Sequence, residues 1–252
     1  MEYCRGNMKL FITEDYDGLS RTCADFIAAQ IQGRHDSVLG LATGNSPIGT
    51  YKELVRRHKE NGLDFSGVTS FNLDEYYPIA KANDQSYDYF MKEHLFNHVN
   101  IDMSRVYIPD GEAADADAEC EAYEAKIRAA GGIDFQILGI GLNGHIGFNE
   151  PADNLAARTH RVDLEASTIQ ANARYFASMD DVPKQACTMG VGTIMLARTV
   201  LLMISGANKA EIAKRAVLGD ITTHVPASLL QLHQNVIVVL DKDAAAALVP
   251  CL

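Results

Sequence analysis

The feature that most narrows what this chain can fold into is the alternation of short apolar runs with amphipathic stretches. MKLFIT (8–13) precedes a helical pattern through Ile31, and SVLGLAT (37–43) precedes another from Pro47 to about Asn61. VTSFNLDEY (68–76) follows, then helical patterns over Ser86–His98 and Asp115–Ala130, with the short run RVYI between them. FQILGIG (135–141), TVLLMISG (199–206) with a helix through Leu218, and NVIVVLD (235–241) complete the series. Successive residues of a strand point to opposite faces, so runs this apolar leave neither face wet. A mostly parallel sheet covered by helices on both sides meets that demand, and right-handed crossovers make it a three-layer α/β/α sandwich. No repeat, low-complexity segment or linker divides residues 1–252, which read as one domain.

Composition excludes several classes. The formal net charge of −11 argues against a nucleic-acid partner, although a small anion can still be held in a locally positive pocket. No apolar run is long enough to span a bilayer, so no membrane partner is expected. MEYCRGNMKLF lacks the apolar core and cleavage site of an export signal. Five scattered cysteines without CxxC spacing suggest reduced thiols in a cytoplasm and neither a disulfide framework nor a zinc site. The expected location is cytoplasmic.

In such sheets ligands bind beyond the carboxyl ends of the strands. Four of those ends carry unusual chemistry and are expected to face one crevice. In LATGNSPIGTYKEL, Thr43, Gly44, Asn45 and Ser46 lie between a strand and a helix expected to start at Pro47, with Ser46 as its cap. Free amides there would make an anion site, or the segment is an ordinary capped turn. GANKA puts Lys209 in an expected first helical turn, where a lysine opposes the helix dipole and either meets an anion or lies in solvent.

NLDEYYP sets Asp74 beside Glu75, and only one of two adjacent strand residues can face a given pocket. That carboxylate could be a general base at a carbon next to a carbonyl or imine, with its neighbour structural, or both are solvated acids in a turn. GIGLNGHIGFNEP (139–151) surrounds Asn143, His145, Asn149 and Glu150 with glycines. A carboxylate near a histidine can hold its tautomer and raise its basicity, and a loop so rich in glycine favours a functional reading. The other motifs are weaker. His94 and His98 lack the glutamate of a zinc-protease helix and are expected on one helical face, and no serine has the setting of a hydrolase nucleophile.

Taken together and in this order, LATGNSPIGTYKEL, SFNLDEYYP, GIGLNGHIGFNEP and SGANKA resemble the glucosamine-6-phosphate deaminase family, over about Met8–Asp241. The resemblance implies a Rossmann-like α/β/α fold and conversion of glucosamine 6-phosphate and water to fructose 6-phosphate and ammonia, without metal or organic cofactor. It implies that Asp74 moves the C2 proton to C1 and that His145, partnered by Glu150, assists ring opening. Lys209 and Arg174, with the Thr43–Ser46 loop, are implied phosphate ligands.

Two departures from the family pattern matter. Asn143 stands where some members carry an aspartate in a relay to the histidine; it can hydrogen-bond but holds no charge, so ring opening leans on Glu150. Allosteric hexameric members have a basic cluster after NEP and a C-terminal extension, where this chain has Asp153, His160 and Val162 and stops at Leu252. The expectation is a monomer, not activated by N-acetylglucosamine 6-phosphate. A 6-phosphogluconolactonase shares the fold but needs no base aimed at C2, and a sugar-phosphate sensor would want a DNA-binding segment for which the chain has no basic patch.

Overall fold

The computed structural model describes residues 2–165, 169, 170, 176 and 178–251. In chain order the strands are β1 (Glu2–Arg5), β2 (Met8–Thr13), β3 (Val38–Leu41), β4 (Thr69–Asn72), β5 (Asp74–Tyr77), β6 (Val106–Tyr107), β7 (Phe135–Leu138), β8 (His160–Asp163), β9 (Gln185–Thr188), β10 (Thr199–Ile204) and β11 (Val236–Asp241). The α-helices are α1 (Tyr16–Gly33), α2 (Ile48–Asn61), α3 (Tyr87–His94), α4 (Ala116–Ala129), α5 (Val191–Met195), α6 (Ala210–Leu218) and α7 (Lys242–Ala245).

Eight strands form the main sheet in the order β1-β2-β11-β10-β7-β3-β4-β6, all parallel except the β1–β2 pair. Every residue of β3, β7 and β11 is buried. Since neighbours along a strand face opposite ways, both faces of the sheet centre are covered, the three-layer α/β/α sandwich read from the apolar runs. After β3 the chain proceeds outward through β4 to β6, whereas after β7 it proceeds the other way through β10 to β11. Loops leaving β3 and β7 therefore diverge, which opens a crevice at the carboxyl ends of those two strands. β4 and β10 flank them, so the four chemically unusual strand ends lie side by side.

Several elements differ from expectation. The run 68–76 is not one strand. It changes partners at Leu73, whose N–H donates to the Leu41 carbonyl while its own carbonyl accepts from Met189 N. Thr69–Asn72 belongs to the main sheet, and Asp74–Tyr77 pairs antiparallel with β9 in a separate three-stranded sheet, β5-β9-β8. A continuous extended, apolar pattern hides such a change, because both halves satisfy the same periodicity.

Helix α2 begins at Ile48, with Pro47 in the cap position and no side-chain cap, so Ser46 does not cap it. The α3 helix ends at His94; Leu95 leaves helical geometry and Phe96–His98 is a 3-10 turn, which removes His94 and His98 from a common face. Lys209 likewise closes a 3-10 turn (Ala207–Lys209) and occupies the cap of α6, not its first turn. Before β2, Glu2–Arg5 adds an edge strand through a turn at Gly6, whose φ of +56° is the left-handed conformation glycine adopts freely. Among the described residues no helix is long and apolar enough to cross a membrane.

Candidate active site

A cavity of about 490 Å³ occupies the crevice between the β3 and β7 loops. Thr43, Gly44, Asn45 and Ser46 line it from β3, Asp74 from the strand switch after β4, and Asn143 and His145 from the β7 loop. The two loops lie close: a β-carbon added at Gly139 would fall 3.5 Å from Ser46 Oγ.

Asp74 and Glu75 have opposite fates. Asp74 faces the cavity but is 6 % exposed, and burial, with the charge of Glu75 adding to it, pushes its carboxyl up to about 8. Glu75 turns away and accepts the backbone N–H groups of Tyr76, Tyr87 and Asp88 at 2.9, 2.9 and 3.0 Å. Two of those donors open α3, so Glu75 pins the helix start to β5. Burial still raises its carboxyl to about 7, against these hydrogen bonds. The alternation argument holds: one carboxylate serves the pocket and the other the framework.

His145 is packed on bare backbone. A β-carbon at Gly141 would lie 2.3–2.5 Å from the imidazole atoms, so the ring's place exists only because residue 141 has no side chain. Its Nδ1 is 3.1 Å from Glu150 Oε1. The other oxygen of Glu150 accepts from Asn143 Nδ2 at 2.5 Å, while Asn143 Oδ1 accepts the His145 N–H at 3.2 Å. Asn143, His145 and Glu150 thus form one connected unit. Asn149 is buried beneath it, with Nδ2 donating to the Ile146 and Met189 carbonyls.

Lys209 reaches from the β10 end to the β7 loop, where Nζ donates to the Ile140 carbonyl at 2.6 Å; burial lowers its pKa. The turn that carries it is fixed by Asp241, which accepts from Ser205 Oγ at 2.5 Å and from Gly206 N. Arg174 lies outside the described residues. Sequence reading missed Tyr87 and Phe148, which also line the cavity and stack with planes 4° apart, and Thr188, whose Oγ1 accepts the Phe148 N–H at 3.1 Å. Ser86 and its cap bond to Tyr89 N were the local signal for the helix start that presents Tyr87. Thr188 had none, since it comes to the site by pairing with Asp74 across β5–β9. Among the described residues no cluster of three or more His, Cys, Asp or Glu side chains could hold a metal ion.

The raised Asp74 carboxyl has a stability consequence. An unfolded aspartate ionises near pH ~3.9, so between there and about 8 the folded chain holds a proton that the unfolded chain has lost. Stability from this group is complete below the lower value and is lost as pH rises through the upper one. Asp74→Asn, which cannot ionise, is therefore expected to raise Tm, with little gain at pH 4 and the largest gain above pH 8. Thermal scans across that range check it; a gain independent of pH contradicts it.

Comparison with known proteins agrees with the geometry. Residues 14–239 match the model of the family described as glucosamine-6-phosphate isomerases/6-phosphogluconolactonase. The chain is 55% identical over 243 residues to a glucosamine-6-phosphate deaminase of Clostridioides difficile (strain 630), covering 96% of this chain and 98% of the relative. It is 54% identical to the deaminase of Halothermothrix orenii, covering 96% and 100%. A solved structure described as a monomeric glucosamine-6-phosphate deaminase superposes with a TM-score of 0.92 at 45% identity, covering 94% of this chain and 99% of that one. A 6-phosphogluconolactonase from Trypanosoma cruzi shares the fold at a TM-score of 0.78 and 18% identity, covering 98% of each chain. With most of its length matched by the family model and by relatives of this similarity, the chain belongs to the glucosamine-6-phosphate isomerase/6-phosphogluconolactonase family.

Proposed function

We propose that the chain converts glucosamine 6-phosphate and water to fructose 6-phosphate and ammonia. One observation carries the choice within the family: a desolvated carboxylate, Asp74, in the same cavity as the Thr43–Ser46 loop and His145, which has Glu150 beside its Nδ1. Ester hydrolysis has no need of a base aimed at carbon, whereas an aldose-to-ketose shift requires one.

In this reading the Thr43–Ser46 amides and Lys209, with Arg174, hold the phosphate and leave the far end of the sugar to the acid–base groups. His145, oriented by Glu150 and Asn143, exchanges the proton that opens the ring. Asp74 takes the proton from C2, the electron pair delocalises as an enolamine, and the same proton returns to C1. The nitrogen is then an imine at C2; water adds there and ammonia leaves, which balances the reaction. Each step is a proton transfer or an addition to a carbon–nitrogen double bond, so the reading requires no metal and no organic cofactor.

The chain's substrate is a small sugar phosphate, and we place it in the cytoplasm as a monomer without nucleic-acid or membrane partners. The net charge of −11, the absence of a membrane-spanning helix among the described residues, and the likeness to a deaminase described as monomeric support this.

The direct test is to incubate the protein with glucosamine 6-phosphate and measure both products. Equal amounts of ammonia and fructose 6-phosphate, lost in Asp74→Asn, are expected; no ammonia from folded protein overturns the reading. Because the base acts ionised and its pKa in the free enzyme is about 8, kcat/KM should rise with pH about tenfold per unit below that value and level off above it. Gly141→Ala, which drives a methyl into the His145 ring, is expected to lower kcat about 100-fold, in line with loss of a general acid–base group, with KM changing less. Steady-state kinetics on the variant decides it. Since Asp153, His160 and Val162 stand where allosteric members have a basic cluster, substrate curves should be hyperbolic and unmoved by N-acetylglucosamine 6-phosphate. A sigmoidal curve made hyperbolic by that effector contradicts this.

A further inference from the structure

Helix α2 starts without a side-chain cap of its own, because Pro47 occupies the cap position and has no side-chain acceptor. The missing partner comes from another helix. Tyr16, the first residue of α1, accepts the Gly49 N–H on its phenolic oxygen at 2.9 Å. The single proton of the same hydroxyl is shared between the backbone carbonyls of Asn45 and Ser46, at 3.0 and 3.1 Å. One phenol therefore holds both the first turn of α2 and the two peptide groups just before it. The approach depends on residue 49 being glycine: a β-carbon there would lie 2.9 Å from Tyr16 Cε1 and 2.2 Å from Ser20 Oγ.

The consequence follows from peptide geometry. In a trans peptide the carbonyl and the following N–H point in opposite directions. Holding the Asn45 carbonyl on the Tyr16 side turns the Ser46 N–H away from Tyr16, and Ser46 and Asn45 line the cavity. The Ser46–Pro47 peptide has no N–H to contribute. The Ser46 amide is thus the last N–H of the loop before the helix, and its direction is set by a hydroxyl outside the cavity lining.

We propose that Tyr16 is a positioning residue for phosphate binding: its hydroxyl fixes the Asn45–Ser46 peptide so that the Thr43–Ser46 loop presents its amides to the anion. This rests on reading that loop as the phosphate cradle. Tyr16 itself is not among the residues that line the cavity.

The experiment compares wild type, Tyr16→Phe, and the loop variants Thr43→Ala and Ser46→Ala, using glucosamine 6-phosphate as substrate and inorganic phosphate as competitive inhibitor. Losing one hydrogen-bonding hydroxyl should raise KM and the inhibition constant of phosphate together, by about five- to tenfold, with kcat within about twofold. A lower Tm with unchanged KM and unchanged phosphate inhibition would make Tyr16 merely structural and overturn the proposal. If the loop variants weaken phosphate inhibition and Tyr16→Phe does not, the cradle stands and the role of Tyr16 is wrong. If none of the three variants alters phosphate inhibition, the proposal fails.

Discussion

Burial of both faces of the central strands is the constraint from which the rest of the molecule follows. β3, β7 and β11 have no exposed residue, so side chains that must meet water or an ionic ligand have no place along their length. Polar chemistry is displaced to where the strands end. The reversal of connection direction between β3 and β7 then decides which ends face a common space. Asp74, His145 and the Thr43–Ser46 loop converge on one cavity, and each reaches it from a different strand.

Within that opening the protein handles two adjacent carboxylates by different means. Glu75 is buried but given three N–H donors, which makes it a tether for α3. Asp74 is buried in a cavity wall, and its raised pKa is the cost of placing a carboxylate out of water. Ionising Asp74 in that wall comes at the expense of folding stability. That exchange is expected of a site whose groups are arranged for chemistry and not for packing.

What could be read from the sequence divides along the same line. The sandwich, the order of the motifs and the opposite orientations of Asp74 and Glu75 were legible because apolar runs and strand alternation are local signals. The grouping of Asn143, His145 and Glu150 was also legible, since one short loop carries them all. The partner switch at Leu73 was not, because an extended segment has the same period whichever sheet it joins. Nor was the small sheet: HRVD and QACT are short, and half of HRVD is exposed. Tyr16 and Thr188 act through contacts distant in sequence, with no periodicity to betray them. Ser46 shows a local rule overruled, since the cap that its position before proline suggested is supplied by a tyrosine from α1.

The Asn143–Glu150–His145 unit shows why a neutral residue at position 143 suits this arrangement. Glu150 has two oxygens and one charge. An amide donating to Oε2 stabilises the ionised form without competing for the histidine, and Oε1 remains beside His145 Nδ1. A carboxylate set against the ionised form of Glu150 would instead be a second acceptor, and one of the pair would have to hold a proton between them. With asparagine the Nδ2 amide fills Oε2 and no such shared proton is needed. The backbone is matched to this: Asn143 Oδ1 receives the His145 N–H, so the same amide fixes the partner of the ring and the residue that bears it. Gly141 then keeps the space over the imidazole clear. Orientation in this loop is set by one amide and one missing side chain.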